Sequence, residues 1–301
     1  MVSHMRKLDL SAGGNLQTYT TIAAGKQQGE DFIADPHRDS STNPFPVQSI
    51  LALFAHPDDA EFLCVGTLAH LAERGLKIHI ATMTAGDCGS TTLSAKKIAN
   101  VRRGEARRAA KLIGAHYICL NERDLHVFYN RKTLAKVTEL VRQTSPSIVF
   151  THSPVDYMVD HETTSQLCQT ACFGAMAPNF RTGNSRAAKP LKSVPHLYYA
   201  EPFGGRDILG KEVHATLFVD IASTFSRKAQ TLACHESQQK FLRTQQGIPQ
   251  LLDMMRAMAE RAGMISHFTA AEGFRQHLGQ GFPQDEALAF FLPELVRTIK
   301  M

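Results

Sequence analysis

Nowhere in the 301 residues does an uninterrupted apolar run approach the length of a transmembrane helix, and a helical membrane span is excluded on that ground. The opening segment MVSHMRKLDLSAGG lacks the charged start, apolar stretch and small-residue cleavage site of a secretory signal, so a cytoplasmic location is expected. Cysteine is sparse. Cys64, Cys88, Cys119, Cys168, Cys172 and Cys234 are scattered along the chain, which suits reduced thiols rather than a disulfide framework. Cys168 and Cys172 stand one helical turn apart with no second pair nearby to complete a thiolate site, so both are expected in the core. Glycine and proline are near average and charged residues make up 20%, which excludes collagen-like, low-complexity and disordered classes. No internal repeat is present. No G-x-G-x-x-G follows the first apolar run, where carboxylates that repel phosphate stand instead.

What is present is a chain with 43% hydrophobic residues, long enough to bury a large core, and a formal charge of +5. Much of that charge lies in residues 96–111, where Lys96, Lys97, Arg102, Arg103, Arg107, Arg108 and Lys111 accompany Ile98, Val101 and Ala109 at helical spacing. The segment reads as a solvated helix face. A nucleic-acid partner is not expected, since aromatic interleaving and a recognisable binding module are both missing.

Residues 1–46, polar and marked by Pro36, Pro44 and Pro46, read as an extended arm, and residues 47–301 as one domain. Short apolar runs at 49–55, 78–83, 117–120 and 148–151 alternate with helical patterns at 61–74, 97–113 and 132–143. Further strands are predicted at 196–200 and 216–219, and helices at 226–236 and 248–262. The fold class is therefore α/β: a Rossmann-like three-layer sandwich with a mostly parallel sheet and an irregular C-terminal extension.

In such sheets ligands bind beyond the carboxyl ends of the strands. The first predicted strand ends in Ala55-His56-Pro57-Asp58-Asp59-Ala60-Glu61, an imidazole and three carboxylates at one turn. A helix cap explains one of these acids but not the cluster. The strand at 148–151 is followed by His152-Ser153-Pro154-Val155-Asp156-Tyr157-Met158-Val159-Asp160-His161. Histidine and aspartate from one turn with histidine from another make an N/N/O set with an open position, as in catalytic zinc sites, and a further carboxylate is left for proton transfer.

AHPDDAE after an apolar strand, with DY-x-x-DH about a hundred residues later, resembles the LmbE/PIG-L-like N-acetylglucosaminide deacetylases. Thr84-Ala85-Gly86-Asp87-Cys88-Gly89, Arg102-x-x-Glu105-Ala106, Lys228 with His235-Glu236-Ser237-Gln238, and Ala271-Glu272-Gly273-Phe274 extend the resemblance over about residues 48–275. It implies a zinc-dependent hydrolase that removes acetyl from an N-acetylglucosaminyl conjugate. His56, Asp59 and His161 would be metal ligands and Asp58 the general base. Many relatives carry HPDH where this chain has Met158-Val159-Asp160-His161, so one imidazole is replaced by a thioether. Tyr157 and His235 are the catalytic candidates to cover that loss. Arg102, Asp87 and His152 are the candidates for substrate contact. Glu61 opens the first helix, where it favours the dipole and supports the metal shell. The resemblance also carries self-association as an expectation. The alternatives are an amidase acting on a larger N-acyl group and a non-catalytic metal- or sugar-binding module.

Overall fold

The computed structural model describes residues 49–245, 247 and 250–299; the arm expected over residues 1–46 lies outside them. The first segment, SILALF, is buried at all six positions and forms strand β1 (Ser49–Phe54). Its side chains alternate across the sheet. Ile50, Ala52 and Phe54 join one apolar cluster, while Leu51 and Leu53 join another on the opposite face. Helices α1 (Asp59–Leu63) and α2 (Val65–Glu73) lead to β2 (Lys77–Thr84), and α3 (Ala95–Leu112) leads to β3 (His116–Glu122). After α4 (Arg131–Thr144), β4 (Ile148–Thr151) and α5 (Val159–Gly174), the chain runs through an irregular stretch to β5 (His196–Ala200) and β6 (Leu217–Asp220). Helices α6 (Phe225–Ala233), α7 (Glu236–Gln245) and α8 (Leu251–Ser266), strand β7 (Ala271–Gln276), helix α9 (Ala287–Phe291) and β8 (Val296–Thr298) complete it.

The eight strands form one sheet in the order β3-β2-β1-β4-β5-β7-β6-β8. The first five are parallel, and β7 runs antiparallel between β5 and β6. One face packs against α4 and α5 through Val137, Leu140, Leu167, Cys168 and Cys172; α1, α2, α3 and α6 cover the other. This is the expected three-layer α/β sandwich, and both cysteines lie in the core. The chain leaves β1 toward β2 and β3, then returns to β1's other side with β4. The switch point lies between β1 and β4, and the crevice opens there.

Three expectations are corrected. The helix expected at 61–74 is broken at Cys64, because α2 starts afresh where the Gly66 and Thr67 N–H groups donate to the Glu272 carboxylate at 2.9 and 2.7 Å. A Cβ on Gly66 would meet Ile221 at 2.8 Å, so only glycine permits this approach. The C-terminal region is irregular in its loops but adds β5 to β8 to the main sheet, and the AEGF segment is itself β7. Helix α5 is a further departure: its single buried face mixes Asp160, His161, Thr164 and Ser165 with Leu167, Cys168, Ala171 and Cys172, so the apolar period that would announce a helix is weak. Glu272 also accepts from Lys228 Nζ at 2.6 Å, and that ammonium donates to Phe62 O at 2.6 Å, all of it buried.

His79 on β2 lies in register with His116 and stacks on it, ring centroids 5.7 Å apart. Burial, with Lys77 and His116 adding to it, lowers His79 to about 4. Below its ordinary value near 6.5 the unfolded chain takes up a proton that the folded chain refuses, so stability is lost as pH falls from about 6.5 toward 4. Replacing His79→Leu should recover about 1 kcal/mol at pH 5 and little at pH 7, read as the difference in thermal midpoint between the two pH values. An equal acid sensitivity in the variant would refute this.

Candidate metal centre and cavity

The turn after β1 places His56, Asp58 and Asp59 at the switch point, and the turn after β4 brings Asp156, Asp160 and His161 to face them. Asp58 has φ 98°, a left-handed conformation uncommon for a non-glycine residue and typical of functional turns. Asp59 Oδ2 lies 3.4 Å from His56 Nδ1 and 3.7 Å from His161 Nε2. The far nitrogens of both rings meet carboxylates: His56 Nε2 is 3.2 Å from Asp160 Oδ2, and His161 Nδ1 is 3.0 Å from Asp156 Oδ1. Metal-binding histidines are oriented in this way, with the outer N–H given to a carboxylate and the inner lone pair directed at the ion. Three donors of N/N/O type on one cavity wall fit a divalent cation such as zinc and leave a coordination position open.

Two other donor groups occur among the described residues. His152, Asp156 and His161 form one, but His152 is fully buried and closed off from the cavity. Asp87, Cys88 and Asp124 form another. There Asp87 accepts from Asp124 N at 2.8 Å and Arg123 Nε at 3.1 Å, and Asp124 Oδ2 accepts from Cys88 N at 2.8 Å, so this cluster orders a loop. Asp124 itself lines the cavity, while its Oδ1 is buried with no hydrogen-bond partner among the described residues.

Asp58 is buried beside the centre. Burial raises its carboxyl to about 6, with the Arg102 guanidinium opposing. Arg102 Nη2 donates to Asp58 Oδ1 at 3.1 Å and to Pro57 O at 2.7 Å. It reaches them past Gly86, where a Cβ would stand 2.3 Å from the guanidinium and φ is 71°. Glu105, one turn along α3 from Arg102, accepts instead from Ser237 N and Oγ at 2.9 and 2.5 Å.

The cavity measures about 550 Å³. Of the residues singled out in the sequence, His56, Asp58, Asp59, Arg102, Tyr157 and His161 line it. Asp87, His152 and His235 do not. His152 stacks face to face on His161 at 3.8 Å, with Nε2 3.1 Å from Asp59 Oδ2; burial and the neighbouring His161 lower it to about 4. His235 lies behind Asp58 with Nε2 3.3 Å from Glu61 Oε1; burial acts to lower its pKa, but the Glu61 carboxylate outweighs this and raises it. Asp156, Asp160, Asp124 and Gln238 belong to the site, yet the sequence reading gave them no role. Asp156 and Asp160 flank His161 in the second cluster, and that proximity was the one available signal.

Residues 51–172 match the PIG-L family model, described as GlcNAc-PI de-N-acetylase. The chain is 27% identical over 215 residues to a 4-oxalmesaconate hydratase of Pseudomonas putida, spanning 68% of this chain and 80% of that protein. It is 32% identical over 132 residues to the uncharacterized deacetylase YaiS of Escherichia coli, spanning 42% of this chain and 68% of that one. Its fold is similar to that of the N,N'-diacetylchitobiose deacetylase from Pyrococcus horikoshii, with TM-score 0.65, 24% identity, and coverage of 77% of this chain and 84% of the other. The sheet, the two facing turns and these matches agree, and the chain belongs to the PIG-L (LmbE-like) deacetylase family.

Proposed function

We propose that this protein is a metal-dependent hydrolase that removes the acetyl group from an N-acetylglucosaminyl conjugate, with Asp58 as general base. The observation that carries the reading is the convergence of His56 Nδ1, Asp59 Oδ2 and His161 Nε2 on a cavity wall with the buried Asp58 carboxyl beside them. Zinc, when bound, supplies Lewis acidity to the amide carbonyl and acidifies its water. Asp58 has one oxygen bonded to Arg102, which leaves Oδ2 to take a proton from water and return it to the departing amine. With its carboxyl raised to about 6, Asp58 is ionised at neutral pH and is a poised acceptor.

Tyr157 faces the cavity edge-on to His161, 5.2 Å between centroids, and burial pushes its phenol well above the ordinary range. It keeps its proton and donates it as a hydrogen bond to the developing oxyanion, a role Met158 cannot fill. His235 and Arg102 act through Asp58, and His152 through Asp59 and His161, so all three are positioning residues. Asp87 holds the loop that brings Asp124 to the cavity wall, and through it acts on the substrate side of the site. Self-association and a cytoplasmic setting complete the proposal.

The similarity to a hydratase supports a second reading, addition of water to a carbon–carbon double bond. Among the described residues Arg102 is the one lysine or arginine on the cavity wall, and it is already engaged, so a polycarboxylate would find little side-chain charge to meet it. The test is amine release from a panel of N-acetylglucosaminyl conjugates by zinc-reconstituted protein. Release from at least one conjugate, abolished by a chelator and restored by zinc, is expected. His161→Ala should lose stoichiometric metal, since it removes one of three ligands. Full metal occupancy with no release from any conjugate, together with hydration of an unsaturated carboxylate, would favour the second reading.

A further inference from the structure

The cavity is walled unevenly. Asp58, Arg102, Asp124 and Gln238 contribute polar lining, whereas Phe62, Leu242 and Leu251, with Phe203 packed against the same apolar cluster, and Phe241 and Met158 contribute hydrocarbon. This apolar surface begins at the candidate metal centre. From His161 a series of rings runs through Tyr157 to Phe203, 5.9 Å between centroids, and on to Phe62, 5.1 Å further. Met158, the N-cap of α5, adds a thioether to the same cavity lining.

Leu125 strengthens the case independently. It lines the cavity, is 57% exposed, and has φ 63°, a conformation in which a Cβ crowds the carbonyl and which asparagine, aspartate or glycine tolerates far better. Its backbone N–H donates to Asp160 Oδ2 at 2.7 Å, which accounts for the backbone but not for a leucine side chain. An exposed leucine held in a costly conformation beside a cavity is better explained by a ligand that covers it. A cavity of this volume suits a ligand larger than a single sugar ring, and a wholly polar ligand would leave the hydrocarbon wall against water.

We propose that the substrate carries an apolar group close to the scissile amide, either a medium-length N-acyl chain or a hydrophobic aglycone, and that this wall binds it. The proposal rests on the amide-hydrolase reading above. It is tested with two series given to the zinc-loaded protein: N-acetyl-, N-butyryl-, N-hexanoyl- and N-octanoylglucosamine, and N-acetylglucosamine bearing methyl, hexyl or octyl aglycones. The expected result is a kcat/KM that rises about threefold per methylene in one series, which names the source of the apolar group. In the Phe241→Ser variant the ratio of longest to shortest member of that series should fall at least about fivefold. Flat or falling values in both series, with N-acetylglucosamine itself hydrolysed, would overturn the inference and leave the hydrolase reading intact. Calorimetric titration with the same compounds separates the two in the other direction. Tighter binding of the octanoyl or octyl compound by about tenfold or more, in protein that releases no amine, would overturn the hydrolase reading and sustain the apolar subsite. Equal binding across both series would overturn the subsite.

Discussion

Replacement of Asp58→Asn should lower kcat by about 10²- to 10⁴-fold while KM and metal content stay near those of the unaltered protein. Asparagine keeps the size of the side chain and the oxygen that accepts from Arg102, but it cannot take a proton at any useful pH. Asp58 is not one of the three donors that converge at the cavity wall, so metal retention is expected. The local fold should tolerate the change. Burial already disfavours the charged carboxylate and raises its pKa to about 6, so a neutral isostere costs the folded site little. Steady-state kinetics with metal analysis on the same sample provides the check. A kcat within a few-fold of the original, at full metal occupancy, would remove Asp58 from the role of base.

The second large effect concerns stability. Lys228→Met should cost about 3–5 kcal/mol, the range for stripping one partner from a buried ion pair. Lys228 is 2% exposed and Glu272 4%. Without the ammonium, Glu272 keeps the Gly66 and Thr67 N–H groups and the Thr67 hydroxyl but loses its only counter-charge among the described residues, and Phe62 O loses a donor. Denaturant unfolding measures the loss. Adding Glu272→Gln to the same variant should recover part of it, because the uncompensated charge is removed. A single-variant cost below about 1 kcal/mol would mean that water reaches the pair.

These two residues also illustrate what the sequence discloses. The alternation of apolar runs with helical patterns was enough for the layered sheet, since SILALF and IVFT are buried on both faces and read accordingly. The two acidic and histidine-rich turns were legible because they follow adjacent strands, where the crevice must lie. Lys228 and Glu272 read only as elements of a family pattern; their pairing joins α6 to β7 across 44 positions and has no local signature. For the same reason nothing local marks Asp160, the neighbour of His161, because its partner His56 is 104 positions away. His152 and His235 were read as candidates for the site itself. Burial, which no one-dimensional pattern reports for an isolated histidine, puts both behind the cavity wall.

The switch point between β1 and β4 has a temporal consequence. Neither facing turn holds a full donor set, so the centre does not exist in the nascent chain until β2 and β3 have been synthesised and β4 has docked beside β1. Contacts of such sequence separation are slow to form, because the intervening chain must surrender its freedom before they give anything back. Assembly of the centre therefore requires the long-range pairing of β4 with β1, and a chain halted before α5 emerges lacks His161 and holds no complete donor set.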